Sequence, residues 1–172
     1  METKDRREKI LEILREQNEP LSGADLAKQL FVSRQVIVQD IALLRATNKN
    51  ILSTNKGYLL YKSDEGKKSF QRTIKVKHSR EDTRDELYTV VDLGGRFLDV
   101  VVEHEIYGQI NVDLIIHSRM DVDIFLQQAE KTKDRLLNDL TRGIHFHTIE
   151  ADTAERLDLI EEKMKEKGYL IT

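Results

Sequence analysis

Two histidines one residue apart, His145 and His147 in the run GIHFHTIEA (143–151), have the spacing in this chain that most plainly permits chemistry. On a β-strand, alternate side chains share a face with Cα atoms roughly 6–7 Å apart, a separation from which two imidazoles reach one cation. The competing arrangement turns both rings to solvent and packs Ile144, Phe146 and Ile149 inward. Further donors of matching chemistry are His78, which ends the strand-like run RTIKVKH (72–78), and Glu86, one turn into a helix that Glu81 or Asp82 begins. A continuous helix over 78–86 would hold these two about 12 Å apart. A turn at Ser79-Arg80 instead folds the helix start back toward the strand end. Three imidazoles and a carboxylate form a nitrogen and oxygen site suited to one divalent transition metal such as Zn, Ni, Fe or Mn. The chain has no cysteine, which excludes disulfides, thiolate metal sites and cysteine nucleophiles.

A second set of residues has the chemistry of DNA recognition. In SRQVIVQDIALLRAT (33–47), Ser33 is a natural N-cap, and Ile37, Ile41 and Leu44 repeat at helical spacing. The stripe they form leaves Ser33, Arg34, Gln35, Val36 and Gln39 on the free face near the helix start. Arg suits guanine, Gln suits adenine, and Val can touch a thymine methyl. Arg45 at the helix end and Lys56 would neutralise phosphates without reading sequence.

The elements that must position these residues fall into two regions. Residues 4–17 carry Ile10, Leu11, Ile13 and Leu14 at helical spacing, and Asn18-Glu19-Pro20 ends that helix. Ser22 caps a second helix that buries Leu26, Ala27 and Leu30, and the turn FVS leads to the third. NILSTNKGYLLYK then makes a hairpin around Asn55-Lys56-Gly57, with Lys56 at its tip. Together these predict a winged helix-turn-helix over 1–64. The polar stretch SDEGKKS (63–69) separates it from a second domain over 65–172. There the order is strand 72–78, helix 80–95, strands 96–104 and 110–118, helix 121–137, strand 143–151, helix 152–168 and a short last strand YLIT. The fold class is α+β, and the second domain is a two-layer α/β sandwich with a mainly antiparallel sheet.

Residues 1–62 hold 11 Lys/Arg against 8 Asp/Glu, and the remainder holds 17 against 23, so the first region is the one able to approach a polyanion. No phosphate-binding glycine loop appears. No apolar run approaches membrane-spanning length and no signal-peptide pattern opens the chain, so the expected location is the cytoplasm, with no membrane partner.

The segment VSRQVIVQDIALLR resembles the recognition segment of the winged-helix regulators that include the biotin-operon repressor. Beyond it, VKH (76–78), GGRFLDVVVEH (94–104), YG (107–108), SRMDVDIF (118–125) and LTRGIHFHTIEA (140–151) look like the three-histidine, or 3H, domain of the NiaR-type niacin-responsive repressors of NAD biosynthesis. The resemblance runs nearly the whole length. It implies a homodimer bound to double-stranded operator DNA, a metal held through His78, Glu86, His145 and His147, and nicotinic acid as co-repressor. Glu105 stands where that family often has proline after the position matching His104, which bears on the shape of the 104–108 loop.

Within this resemblance, an open position on the ion would take one end of nicotinate, with Arg96 pairing the other charged end and His104 touching the effector. His117 reads as a surface residue. A single winged helix contacts few bases, so a two-fold dimer joined through the second domain is expected. The rival function is a metal-dependent hydrolase fused to a DNA-binding module, since three His and a Glu can activate water. No general base or Ser/His/Asp set can be assembled beside those ligands, and a regulator, not an enzyme, is expected.

Overall fold

The structure, a computed structural model, describes residues 2–47, 50–61, 68–133 and 135–172. The chain divides into two compact units, Met1–Glu65 and Gly66–Thr172. Residues 63–67 of the expected linker SDEGKKS lie outside the described residues.

The first unit contains helices α1 (Thr3–Glu16), α2 (Gly23–Leu30) and α3 (Arg34–Thr47), then strands β1 (Ile51–Thr54) and β2 (Gly57–Leu60). Ser22 caps α2 by accepting the Asp25 amide at 3.1 Å, and Ser33 accepts that of Val36 at 3.3 Å. Both caps satisfy backbone donors that the first helical turn leaves open. Ile10, Leu14, Leu26, Leu30, Ile37, Ile41, Leu44 and Ile51 form one core, each contributing about 1.5–3 kcal/mol by leaving water. β1 and β2 pair antiparallel from Ile51↔Leu60 to Thr54↔Gly57, and Leu21 bridges to Tyr58, so the wing is tied back to the start of α2.

Asp40, on the inward side of α3, has no place in the hydrophobic pattern. It is 2% exposed and accepts from Arg6 at 2.6 Å and Arg7 at 3.0 Å. This pair of bonds fixes α1 against α3, where the apolar stripe alone would allow sliding.

The second unit is built from β3 (Phe70–Lys77), α4 (Thr83–Asp92), β4 (Arg96–His104), β5 (Gly108–Ile116), α5 (Arg119–Thr132), a 3-10 helix (Leu137–Thr141), β6 (Ile144–Ala151) and α6 (Ala154–Glu166). The sheet order is β3-β6-β4-β5, and all three neighbouring pairs are antiparallel. Ile74, Val76, Phe97, Leu114, Ile116, Ile149 and Ala151 from the strands meet Leu87, Val90, Val122, Leu157, Ile160 and Met164 from the helices in one core.

Three boundaries differ from the sequence pattern. α4 begins at Thr83 because Ser79 to Asp82 form a turn, with Ser79 Oγ donating to Asp82 at 2.9 Å. α5 ends early, at a left-handed Lys133, and of the described residues expected to extend it only Leu137 is helical, opening the 3-10 helix. The final YLIT contributes one isolated bridge, Val76↔Leu170, in place of a full strand.

Candidate metal centre and nucleic-acid interface

β6 pairs with β3 so that His147 stands opposite Ile74 and His145 opposite Val76. Those partners are core residues, so the histidine face of β6 is the face that packs under the helices. Ile149 and Ala151 continue it. The arrangement with both rings in solvent is therefore excluded: His145 and His147 are 2% and 3% exposed, while Ile144 and Phe146 lie on the opposite face, half-buried. Ile149 has the parity of the histidines, which no single strand could reconcile with an inward Ile144.

The turn at Ser79 to Asp82 does what the spacing of His78 and Glu86 requires. Glu86, in the first turns of α4, points its carboxylate at all three rings: Oε2 lies 2.7 Å from His78 Nε2, and Oε1 lies 3.4 Å from His147 Nε2 and 3.6 Å from His145 Nε2. The candidate ligand atoms of His78, Glu86 and His145 all fall within 4.8 Å of one another. The rings of His78 and His145, and of His145 and His147, stand edge-on with centroids 4.8 Å apart.

Each ring is oriented from behind by a backbone carbonyl. His78 Nδ1 is 2.7 Å from Ser79 O, His145 Nδ1 is 2.9 Å from Gly143 O, and His147 Nδ1 is 2.7 Å from Asp99 O. A carbonyl only accepts, so each Nδ1 carries the hydrogen and each neutral ring turns its Nε2 lone pair toward Glu86. This is how metal-binding histidines are held.

The group is poorly satisfied by itself. Among the described residues, His78 Nε2 and both Glu86 oxygens are buried without a hydrogen-bond partner, even with His78 Nε2 and Glu86 Oε2 2.7 Å apart. Burial alone would raise the Glu86 carboxyl, and it is positive charge on the surrounding imidazoles that lowers it below the usual carboxylate range. Burial lowers His147, against the pull of the Glu86 charge. At His78 the adjacent carboxylate outweighs burial and raises the pKa. Converging lone pairs around a buried carboxylate are repulsive unless a cation sits among them, so the donor set fits a divalent ion.

Two positioning features lie outside the sequence reading. β4 bulges beside the centre, where the register with β6 shifts between Phe97↔Ile149 and Val101↔Phe146. At the bulge, Asp99 presents its carbonyl to His147, and its carboxylate accepts from the Thr148 amide at 2.7 Å and hydroxyl at 2.9 Å. Bulges of this kind re-aim strands next to functional sites. The second feature is Gly143, whose carbonyl holds His145 and also accepts the His78 amide at 3.4 Å. Its φ is +87°, and a Cβ there would stand 2.3 Å from the His78 carbonyl oxygen.

Arg96 and His104, expected to contact the effector, have partners within the fold. Arg96 neighbours Phe97, which packs on the His147 ring at 4.7 Å. Strand alternation therefore turns Arg96 to the opposite sheet face, where it pairs with Glu150 at 3.1 Å. On that face Arg96 does not point toward the three imidazoles. His104 Nδ1 accepts the amides of Ile106 at 3.2 Å and Tyr107 at 3.4 Å, closing the β4–β5 turn. His117, half exposed, lies 3.3 Å from Asp121.

In the first unit, Ser33, Arg34, Gln35 and Gln39 are exposed along the start of α3, and Val36 is half-buried beside them. Arg45 Nε donates to Ile51 O at 3.2 Å, so the helix end is linked to β1 and that donor is committed within the fold. Lys56 sits in the wing turn, its amide accepted by Thr54 Oγ1 at 3.1 Å. Among the described residues no helix is long and apolar enough to cross a membrane.

Comparison with known families matches residues 6–59 to an HTH domain and residues 71–172 to the 3H domain. Among curated proteins, the "Probable transcription repressor NiaR" of Thermotoga maritima is 44% identical over 167 residues, covering 97% of this chain and 94% of that protein. The "Transcription repressor NadR" of Bacillus subtilis is 38% identical over 167 residues, covering 96% and 93%. Both relatives are named transcription repressors, which favours the regulator over its rival, the hydrolase. With an HTH domain followed by a 3H domain, and with these relatives along nearly its whole length, the chain belongs to the 3H-domain transcription repressors that include NiaR and NadR.

Proposed function

We propose that the chain is a metal-dependent repressor of genes for NAD biosynthesis and niacin uptake, with nicotinic acid as its co-repressor. One observation carries this reading: three histidines, each pinned at Nδ1 by a carbonyl, converge with Glu86 in a buried site. His78, Glu86, His145 and His147 would hold the ion. When bound, it supplies an electrophilic centre able to accept donors beyond these four. The exposed face at the start of α3 would read the operator, and a homodimer would read two half-sites. Nicotinate strengthens operator binding only by the difference in its affinity for the DNA-competent and other arrangements.

The test is operator binding to promoter fragments of NAD-synthesis and niacin-uptake genes, with and without nicotinate, for the parent and a His145→Ala/His147→Ala variant. The parent is expected to gain affinity with nicotinate. The variant is expected to lose metal and effector response together while still binding DNA weakly. A variant that responds at parental nicotinate concentrations sinks the metal-linked mechanism.

A further inference from the structure

Among the described residues, the non-glycine positions with positive φ are Phe31, Lys133 and Arg142. Lys133 and Arg142 are long charged side chains that suit a surface turn. Phe31 is of another kind: at φ 55° and ψ 42° its backbone is left-handed, and the residue is 94% exposed. A helix that ends this way usually does so with glycine, because a β-carbon is penalised there, and a bulky side chain in that region is an outlier. The position thus combines two costs, a disfavoured backbone and an aromatic ring left in water. The turn accounts for the backbone and not for the ring. The Phe31 amide closes α2 on Lys28 O at 3.4 Å, and the Val32 amide bonds to Ala27 O at 3.0 Å. Val32 packs on the core of the first unit, and glycine in place of Phe31 would allow the same turn.

Phe31 lies between the two helices of the helix-turn-helix, just ahead of Ser33 and Arg34, which are exposed at the start of α3. On its other side Lys28 and Gln29 are exposed at the end of α2, with Lys28 Nζ 4.0 Å from Asp25. In this motif the second helix enters the major groove and the first crosses the backbone, so the turn that joins them stands at the lip of the groove. An exposed ring flanked along the chain by Lys28 and Arg34 suits that place: the cations match phosphates, and the ring matches the apolar edges of deoxyribose.

We propose that Phe31 packs on the sugar–phosphate backbone of bound DNA beside the groove that α3 enters, adding an apolar, sequence-independent part to the affinity. The inference rests on the reading of α3 as the operator-reading helix. A contact to the backbone positions the protein without reading bases. Its free energy comes from apolar surface leaving water, so unlike a Lys or Arg contact it releases no counterion and is insensitive to salt. The strained turn then has a use, since it holds the ring out of the core of the first unit and toward the strand that flanks the groove.

The experiment measures binding of the full chain to a promoter fragment that the parent retains and to a random duplex of equal length, over a range of salt, for Phe31→Gly, Phe31→Tyr and Arg34→Ala, together with melting temperatures. Phe31→Gly is expected to weaken both duplexes by about ten-fold, with the promoter-to-random ratio and the salt slope of the parent. Its melting temperature does not fall, because glycine takes the left-handed turn without strain. Phe31→Tyr keeps the ring and retains parental affinity. Parental affinity of Phe31→Gly on both duplexes overturns the proposal and makes the ring a surface for protein contact. A loss confined to the promoter fragment also overturns it, since Phe31 would then act through the base-reading residues, and a loss with a lowered melting temperature does so as a defect of the fold. Arg34→Ala separates this contact from the reading beneath it. A lowered promoter-to-random ratio in Arg34→Ala beside an inert Phe31→Gly removes the ring contact alone, and parental binding in both variants removes the reading of α3 as well.

Discussion

The imidazole of His147 is held by the carbonyl oxygen of Asp99, 2.7 Å away and 48 residues distant in the chain. The Asp99 carboxylate braces the next residue, Thr148, through both its amide and its hydroxyl. One residue on β4 thus sets the aim of a metal donor on β6 without being a ligand. Asp99→Ala is expected to lower metal affinity by about 10–100-fold, the usual effect of removing a residue that orients a ligand. Competition with a chromophoric chelator measures this. Unchanged affinity would show that the bulge holds its shape without the carboxylate.

Gly143 makes a stronger case. Gly143→Ala places a β-carbon against the His78 carbonyl and strains a φ of +87°, so the backbone must move at the point where two ligands are held. The expected result is metal loss with a stability cost of about 2 kcal/mol or more. Urea unfolding and metal content read the two effects, and a variant with parental values in both would disprove the coupling.

Opposed histidine shifts predict how the ligand-free protein responds to pH. His147 is lowered by burial, so as pH falls below the ordinary imidazole value of 6.5 the unfolded chain takes up protons first and stability declines. His78 is raised by Glu86 in spite of burial; its contribution is fully present below 6.5 and is lost as pH rises through its folded value. With chelator present, the melting temperature of the 3H domain should therefore peak near 6.5. Metal uptake just above that pH should release the His78 proton, measurable from calorimetry in buffers of different ionisation enthalpy. A monotonic pH profile with no proton release contradicts the assignment.

Asp40 gives the winged unit its own acid dependence. Burial raises its carboxyl, but Arg6 and Arg7 together bring it below the ordinary 3.8. Its stabilisation is present above that value and disappears as pH falls through the lower folded pKa. Asp40→Asn should cost about 1–3 kcal/mol at neutral pH, with the difference from the parent vanishing in acid. Denaturant midpoints across this range test it; a difference that persists in acid would place the effect in packing.

Arg34 and Lys56 separate reading from attraction. Arg34→Ala should cost about 1–3 kcal/mol at one operator position and relax its base preference. Lys56→Ala should weaken all sequences alike and reduce the salt slope by about one unit. Equal effects of both on specific and random DNA would remove Arg34 from the reading face.

The fold was legible where periodicity is strong. The stripe of Ile37, Ile41 and Leu44, the caps at Ser22 and Ser33, and the alternation of β3, β4 and β6 all follow local rules that the structure obeys. The convergence of His78, Glu86, His145 and His147 was legible from residue type once a turn was placed at Ser79-Arg80. Asp40 and Asp99 were not, because an acidic residue among apolar neighbours looks the same in sequence whether it faces water or a partner in another element. The face that Arg96 takes was hidden for a related reason. Nearness along a strand does not fix the face, and its neighbour Phe97 claims the side beneath the helices.

The ladder that joins β3 to β6 runs from Phe70↔Ala151 to Lys77↔Ile144. Pairings this distant along the chain form late, since a long loop must close before any contact rewards it. During synthesis His78 and Glu86 leave the ribosome well before His145 and His147 exist. A nascent chain therefore has half a centre and no sheet to hold it. On the proposed function, ion acquisition would be a step of the finished domain, and the supply of metal at that moment, not during translation, would decide how many molecules become competent to sense.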